Sequence, residues 1–177
     1  MNKRQIARQI YEASHLTGEF VLRSGSVSGE YFDKYLFEAR PELLREIAKM
    51  MRDMIPDGTE VLAGLEMGAI SVVTALSLES GTAAAFVRKK AKEYGTRKLA
   101  EGAEINNKIV TVVEDVVTTG GQIIESVREL RSRGAVVSKV MCVIQRNENA
   151  AELLAAEGLA LIPAFTMEYI LSAVTET

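Results

Sequence analysis

The 177-residue sequence contains little cysteine, histidine or proline, and each shortage excludes a class of protein. A single cysteine, Cys142, rules out a framework of disulfides within the chain. Because His15 is the only histidine, zinc sites built on these ligands are also excluded, and a metal ion would need oxygen ligands such as carboxylates or phosphates. Three prolines, 47% hydrophobic residues and 25% charged residues exclude a collagen-like or disordered chain.

Long apolar runs and an excess of positive charge are absent as well. No segment approaches the roughly 18 apolar residues that a membrane span requires. Lysine and arginine number 21 against 24 acidic residues, a net charge of −3, which argues against a general nucleic-acid-binding surface. We therefore expect a soluble, cytoplasmic protein that binds neither nucleic acid nor membrane and folds as one domain over residues 1–177.

After residue 59, short β-branched runs alternate with helical patterns. This alternation is typical of an α/β fold with an open, mainly parallel sheet flanked by helices. The predicted strands cover residues 60–64, 83–88, 109–113, 136–144 and 159–163. Apolar residues at helical spacing predict two of the intervening helices, one ended by Gly134 and the other by Gly158.

Residues 1–59 have a different pattern and predict a small N-terminal hood with a helix-hairpin-helix arrangement. A helix is expected to begin at Pro41, where the missing N–H of proline is tolerated. Upstream of it, residues 20–35 (FVLRSGSVSGEYFDKY) combine glycine, serine and aromatic residues, which indicates hairpin strands around a tight turn.

Residues 109–122 (IVTVVEDVVTTGGQ) carry the most informative pattern. A buried strand is predicted to end in Glu114 and Asp115, followed by Thr118, Thr119 and two glycines, where a helix begins. Ligands of α/β sheets bind beyond the carboxyl ends of strands, and a helix start offers free N–H groups to a phosphate. The acids would repel phosphate and suit hydroxyl groups, so the segment predicts a sugar phosphate site. A solvated acidic turn before a helix is the structural alternative.

Residues 88–98 (RKKAKEYGTRK) form a basic loop in which six of eleven residues are lysine or arginine. The next strand is predicted only at Ile109, and connections of this length are usually functional or disordered. Near a phosphate site, such cations would stabilise a polyanionic leaving group. An ordinary solvated charged loop is the alternative.

These segments resemble the orotate phosphoribosyltransferases, a branch of the type I phosphoribosyltransferase family. Residues 109–122 are similar to the family's phosphoribosyl diphosphate motif, residues 20–35 to its hood, and residues 86–95 (FVRKKAKEYG) to its mobile catalytic loop. Residues 64–71 (GLEMGAIS) stand where the family has its pyrophosphate loop, and Gln145–Arg146 match a base-binding arginine at a strand end. The similarities follow the family's order from residue 20 to residue 146.

The resemblance implies transfer of a phosphoribosyl group from phosphoribosyl diphosphate to orotate, with Mg²⁺ bound through the substrate and no direct protein ligand to the metal. It also implies a homodimer whose active site is shared, because the family's loop reaches into the partner subunit. Rival interpretations are a phosphoribosyltransferase for another base and a non-catalytic nucleotide-sensing regulator of the same fold.

Site residues follow from the same resemblance. The catalytic set is Lys92, Lys89, Arg88 and Asp115. The set that binds phosphoribosyl diphosphate is Arg88, Lys89, Lys92, Tyr94, Glu114, Asp115, Val116, Val117, Thr118, Thr119, Gly120, Gly121 and Gln122, where Tyr94 replaces a histidine common in the family. The set that binds orotate is Arg23, Tyr31, Phe32, Thr118 and Arg146. Arg146 as a surface residue at a turn, and the two aromatics as ordinary hairpin packing, remain structural alternatives.

Overall fold

The computed structural model describes residues 1–22, 24–91 and 98–175. Its N-terminal elements are α1 (Lys3–Ser14), β1 (His15–Val21), β2 (Val27–Phe32), α2 (Lys34–Glu38) and α3 (Pro41–Arg52). The remaining elements are β3 (Val61–Leu65), α4 (Ala69–Ser80), β4 (Ala83–Val87), β5 (Ala100–Gly102), β6 (Ile109–Val117), α5 (Gly121–Ser132), β7 (Val136–Gln145), α6 (Asn149–Ala156), β8 (Ala160–Thr166) and α7 (Met167–Thr175).

Six of the strands form one sheet in the order β5-β4-β3-β6-β7-β8. Every neighbouring pair is parallel except β4 with β5, which is antiparallel. The α/β class and the mainly parallel sheet are thus confirmed. Because the chain moves to one side of β3 to form β4 and then returns to the other side to form β6, the strand order reverses at β3, and such a reversal opens a crevice at the carboxyl ends of the strands.

Two apolar clusters cover the two faces of the sheet. On one face, α5 and α6 contribute Ile123, Val127 and Leu154 to a cluster shared with the strands. On the other face, α1, α3, α4 and α7 pack around residues such as Ile10 and Ile47. The helical spacing predicted for α5 and α6 buries one stripe of each of these two helices.

The N-terminal helices belong to the main core. Helix α3 begins at Pro41, as predicted, and its buried residues join the cluster that includes strand residues of β3, β6 and β7. The β1–β2 hairpin is a separate two-stranded sheet, and Val21 and Val27 on either side of its turn are 76% and 62% exposed. The hairpin alone therefore projects from the sheet, whereas the helices beside it are part of the sheet's packing.

Several predicted boundaries were wrong, and one strand was missed. Strand β6 continues to Val117, with Val116 paired to Ile144, so the acid pair lies within the strand and does not follow it. Strand β5 was missed, because three residues are too few to show a period. Finally, β2 ends at Phe32, and residues 34–38 form α2, whose N-cap Asp33 accepts the N–H of Tyr35 at 3.0 Å.

Candidate active site

A cavity of about 240 Å³ lies at the carboxyl ends of β3, β4 and β6. The turn after β3 contributes Glu66, Met67 and Gly68, and the end of β4 contributes Arg88 and Lys89. Among the residues predicted to bind phosphoribosyl diphosphate, the cavity is lined by Arg88, Lys89, Glu114, Val116, Val117, Thr118, Thr119, Gly120 and Gln122. Asp115 and Gly121 do not line it, and Lys92 and Tyr94 lie outside the described residues.

The start of α5 supplies free backbone donors to the cavity. Gly120 precedes the helix with a φ of +82°, a backbone conformation that glycine adopts without strain, and no side chain caps the helix. The first N–H groups of an α-helix have no partner within the helix, and the helix dipole places partial positive charge at this end. With Thr118 and Thr119 beside it, this turn is suited to bind a phosphate.

The two acids of the motif occupy different environments. Glu114 faces the cavity, and burial raises its pKa to about 9, with the hydrogen bond to Asp115 acting in the same direction. Asp115 is fully buried. Burial alone would raise the pKa of Asp115, but hydrogen bonds with Glu114 and Lys34 outweigh it and hold that pKa below its usual value. The pair therefore places a carboxylic acid at the cavity wall and a carboxylate behind it.

Lys34 is the counter-ion of the buried carboxylate. Its Nζ lies 2.6 Å from Oδ2 of Asp115, and it also lines the cavity. Burial by itself would lower the pKa of Lys34, but the hydrogen bond to Asp115 raises it, and the balance is above the ordinary value. The lysine is therefore charged at neutral pH.

The basic loop connects two paired strands, β4 and β5. The N–H of Arg88 donates to the carbonyl of Leu99 at 2.9 Å, and the N–H of Lys89 donates to Oε1 of Glu66 at 2.6 Å. Nε of Arg88 also lies 3.9 Å from Oε1 of Glu101 on β5. The predicted single long connection from residue 88 to residue 109 was wrong, since β5 pairs with β4 within it. Both cations line the cavity.

The residues predicted to bind orotate lie partly at a recess beside the cavity and partly on the β1–β2 hairpin. Arg146 follows β7 and lines a second recess with Thr118, which also lines the 240 Å³ cavity. Tyr31 stacks on Phe20 with ring centroids 5.5 Å apart, and Phe32 packs against the core, so neither lines the cavity or this recess. Arg23 lies outside the described residues.

Sequence reasoning missed Lys34 and Tyr35 as cavity residues. Both were assigned to a hairpin strand, whereas the N-cap Asp33 starts a helix whose first two residues line the cavity. An Asp followed by a short apolar stretch was the available signal for that helix.

Comparison with known proteins connects this site to one family. A phosphoribosyl transferase domain model matches residues 37–161. The chain is 48% identical to orotate phosphoribosyltransferase from a Nocardioides species, over 91% of this chain and 90% of that one. It is also similar in structure to the Mycobacterium tuberculosis orotate phosphoribosyltransferase in complex with Fe(III) dicitrate, with 31% identity, a TM-score of 0.86, and coverage of 95% and 98% of the two chains. The same M. tuberculosis protein in complex with 5-phospho-α-D-ribosyl 1-diphosphate matches at 29% identity and a TM-score of 0.81, covering 95% of this chain and 98% of that one.

The site combines an acid pair near the end of β6, a Thr/Gly turn and a free helix start, and the chain belongs to the phosphoribosyltransferase family. Its branch is that of the orotate phosphoribosyltransferases. Within the described part of the chain, no helix is long and apolar enough to cross a membrane.

Proposed function

We propose that the 240 Å³ cavity and the adjoining recess carry the reaction of this family. The 5-phosphoribosyl group passes from phosphoribosyl diphosphate to orotate and yields orotidine 5′-monophosphate, an intermediate of pyrimidine biosynthesis. A ring nitrogen of orotate bonds to the anomeric carbon as the bond from that carbon to the diphosphate oxygen breaks; the nitrogen releases its proton to solvent, and pyrophosphate leaves. The main support for this proposal is that a free helix start, a carboxyl group and two cations line one cavity.

The 5′-phosphate is assigned to residues 118–121 and Gln122. The uncapped N–H groups of α5 donate to its oxygens, and Thr118 and Thr119 add hydroxyl donors. Because no side chain caps the start of α5, a dianion there meets free donors and the positive end of the helix dipole.

The ribose hydroxyls are assigned to the acid pair. Glu114 makes the direct contact because it lines the cavity, and as a carboxylic acid it can both donate and accept a hydrogen bond. Asp115 supports it from behind as the ionised partner. The flanking Val116 and Val117 contribute backbone and apolar contacts at the same wall.

The diphosphate is assigned to Arg88 and Lys89, together with Lys92 and Tyr94 by family resemblance. As the glycosidic bond breaks, the ribose gains positive character and the pyrophosphate gains negative charge, which preorganised cations stabilise. No covalent intermediate with the protein is required, because orotate is itself the nucleophile. Catalysis then consists of positioning two anions and stabilising charge.

Mg²⁺ fits this site as an ion that arrives on its substrate. Among residues 1–22, 24–91 and 98–175, no group of three or more His, Cys, Asp or Glu could hold a metal ion, whereas diphosphate and ribose oxygens are the ligands that Mg²⁺ prefers. When bound, Mg²⁺ neutralises charge on the diphosphate and so makes it a better leaving group. Arg88 and Lys89 would hold the complex through the diphosphate oxygens.

Orotate is assigned to the recess beside Thr118. Arg146 offers a guanidinium to the carboxylate of the base, a geometry in which two parallel hydrogen bonds form. Arg23, Tyr31 and Phe32 complete the assigned set by resemblance, with the hairpin closing over the base.

A homodimer with a shared site is part of the proposal. Exposed apolar side chains on the hairpin and on α4, including Val21, Val27 and Leu78, support a covered interface. A cytoplasmic location is also proposed, since one cysteine leaves no disulfide within the chain and this suits a reducing compartment.

The test is to incubate the protein with phosphoribosyl diphosphate, Mg²⁺ and a panel of bases, and to follow pyrophosphate release. Release with orotate alone is expected. Pyrophosphate release with a purine or another pyrimidine, and not with orotate, would show that the chain uses another base. No pyrophosphate release with any base would favour a non-catalytic regulator.

A further inference from the structure

Lys34 stands between the cavity and the second acid of the motif. It is the first residue of α2, and its Nζ is 2.6 Å from Oδ2 of Asp115. The other oxygen, Oδ1, accepts the N–H of Val116 at 2.6 Å. Both oxygens of this fully buried carboxylate thus face groups inside the protein, and Asp115 does not line the cavity.

The turn between β3 and α4 closes over this ion pair. A side chain at Gly68 would overlap Oδ2 of Asp115 and would lie 2.9 Å from Nζ of Lys34, so only glycine allows the turn to sit on the pair. One helical turn beyond Lys34, the buried Glu38 accepts a hydrogen bond from the hydroxyl of Ser71 at 2.7 Å. Helix α2 thus anchors the end of β6 to α4.

Lys34 is the cation at the centre of a group of carboxyl side chains. The groups around its ammonium are Asp115, Glu114, Glu38 and the ring of Tyr35, whose centroid is 5.3 Å away. Three carboxyl groups thus surround one cation. Without that cation, the Asp115 carboxylate would be buried and unpaired, and it would have to take up a proton or move.

We propose that Lys34 is a positioning residue for phosphoribosyl diphosphate. It acts through Asp115: the ion pair fixes the end of β6 and thereby directs Glu114 at the ribose hydroxyls. This inference rests on the proposed role of Glu114. Lys34 also lines the cavity, and the role proposed for it is the contact with Asp115 and not a contact with the diphosphate.

The role is tested by a cycle of four proteins: wild type, Lys34→Met, Asp115→Asn and the double variant. Methionine keeps an unbranched stem of similar length and removes the charge. Calorimetry with phosphoribosyl diphosphate and Mg²⁺ gives Kd for each protein. Lys34→Met is expected to weaken binding by about tenfold, as loss of a supporting contact does, whereas the double variant should bind as Asp115→Asn does.

Steady-state kinetics of the single variants separate positioning from structure. Lys34→Met should raise KM for phosphoribosyl diphosphate and leave KM for orotate within about twofold, and Lys34→Arg should recover most of the loss because it restores a cation. The matched control is Lys108→Met. Nζ of Lys108 pairs with Oε1 of Glu60 at 2.9 Å beside the opposite end of β6, and its removal should leave both KM values unchanged.

Three results would overturn the proposal: an unchanged Kd in Lys34→Met, a further loss in the double variant beyond Asp115→Asn, or equal weakening of both substrates. If Lys34→Met fails to fold, the comparison of Asp115→Asn with the double variant still decides, since neither leaves a buried carboxylate unpaired. A wild-type protein that releases no pyrophosphate with orotate would instead refute the proposed function.

Discussion

Glu114 and Asp115 are neighbours in the sequence, yet their surroundings give them different chemistry. Glu114 faces the cavity as a carboxylic acid, while Asp115 is a buried carboxylate held by Lys34. Two adjacent carboxylates without such a partner would repel each other and raise each other's pKa. Burial keeps the proton on Glu114, and the hydrogen bonds of Asp115 with Glu114 and Lys34 keep Asp115 ionised.

Glu38 should make stability depend on pH. Burial raises the pKa of Glu38 to about 8, from an ordinary value of 4.5. Between these values the folded protein keeps a proton that the unfolded chain releases, so this contribution to stability is fully present below pH ~4.5 and is lost as pH rises toward 8. Glu38→Gln removes the titration. The free energy of unfolding of the variant should equal that of wild type near pH 5 and should be higher by roughly 1–2 kcal/mol near pH 8.

Thermal denaturation at several pH values between 5 and 8 measures this difference. Glu152→Gln on α6 is the control, because it makes the same change from glutamate to glutamine at an exposed position. A difference between Glu38→Gln and wild type that is constant with pH would contradict the expectation.

Arg146 should discriminate between the two substrates. If its guanidinium pairs with the orotate carboxylate, Arg146→Ala should weaken orotate by about 2–5 kcal/mol and phosphoribosyl diphosphate far less. Calorimetry with each ligand separates the two effects. Equal weakening of both would assign Arg146 to the structure of the turn after β7.

The residues of the site differ in how far the sequence could predict them. The Thr/Gly turn was predictable because its residue types and its place before a helix carry the phosphate chemistry directly. Lys34 was not, since its role depends on a contact with Asp115 that is 81 residues away and that only the fold creates. The assigned roles of Tyr31 and Phe32 stay predictions.

At the scale of elements, the turn between β3 and α4 packs on β6 without room for a side chain. Gly68 has an ordinary helical backbone with φ −59° and ψ −42°, so the restriction is space. Gly68→Ala should displace Asp115 or Lys34. The free energy of unfolding is expected to fall by about 1–3 kcal/mol, as overpacking does, and KM for phosphoribosyl diphosphate should rise.

Gly29→Ala is the matched control for this substitution. Nothing lies within 4 Å of the position that its Cβ would take, so its melting temperature and its KM for phosphoribosyl diphosphate should stay at the wild-type values. Wild-type values for Gly68→Ala as well would mean that the turn can move without disturbing the ion pair.

The strands also differ in how far the sequence could predict them. Five strands of the sheet were predicted because their β-branched runs are long enough to recognise. The extension of β6 to Val117 was not, since acidic residues are rare in buried strands and were taken as its end. Strand β5 depends on pairing with β4, where Arg88 donates to Leu99, and such tertiary contacts leave no periodic signal.

At the scale of the whole molecule, the cavity is lined by two cations of the basic loop. Arg88 and Lys89 begin the basic loop, and Lys92 follows them in sequence. A polyanionic substrate in the cavity would attract this loop, and in the proposed dimer the loop of one subunit closes over the site of the other. The arrangement predicts that neither subunit has a complete site alone.

Subunit mixing tests this arrangement. A chain carrying Lys92→Ala and a chain carrying Asp115→Ala are each expected to be inactive as homodimers. After exchange, a mixed dimer has one site with both an intact loop and an intact acid pair. Random exchange makes about half of the dimers mixed, and each holds one good site of two, so activity should approach about a quarter of the wild-type level if the sites work independently. Exchange is verified by mass or by a tag on one chain. If verified exchange restores no activity, each chain closes its own loop, because only a loop acting within its own subunit would leave both sites of the mixed dimer defective.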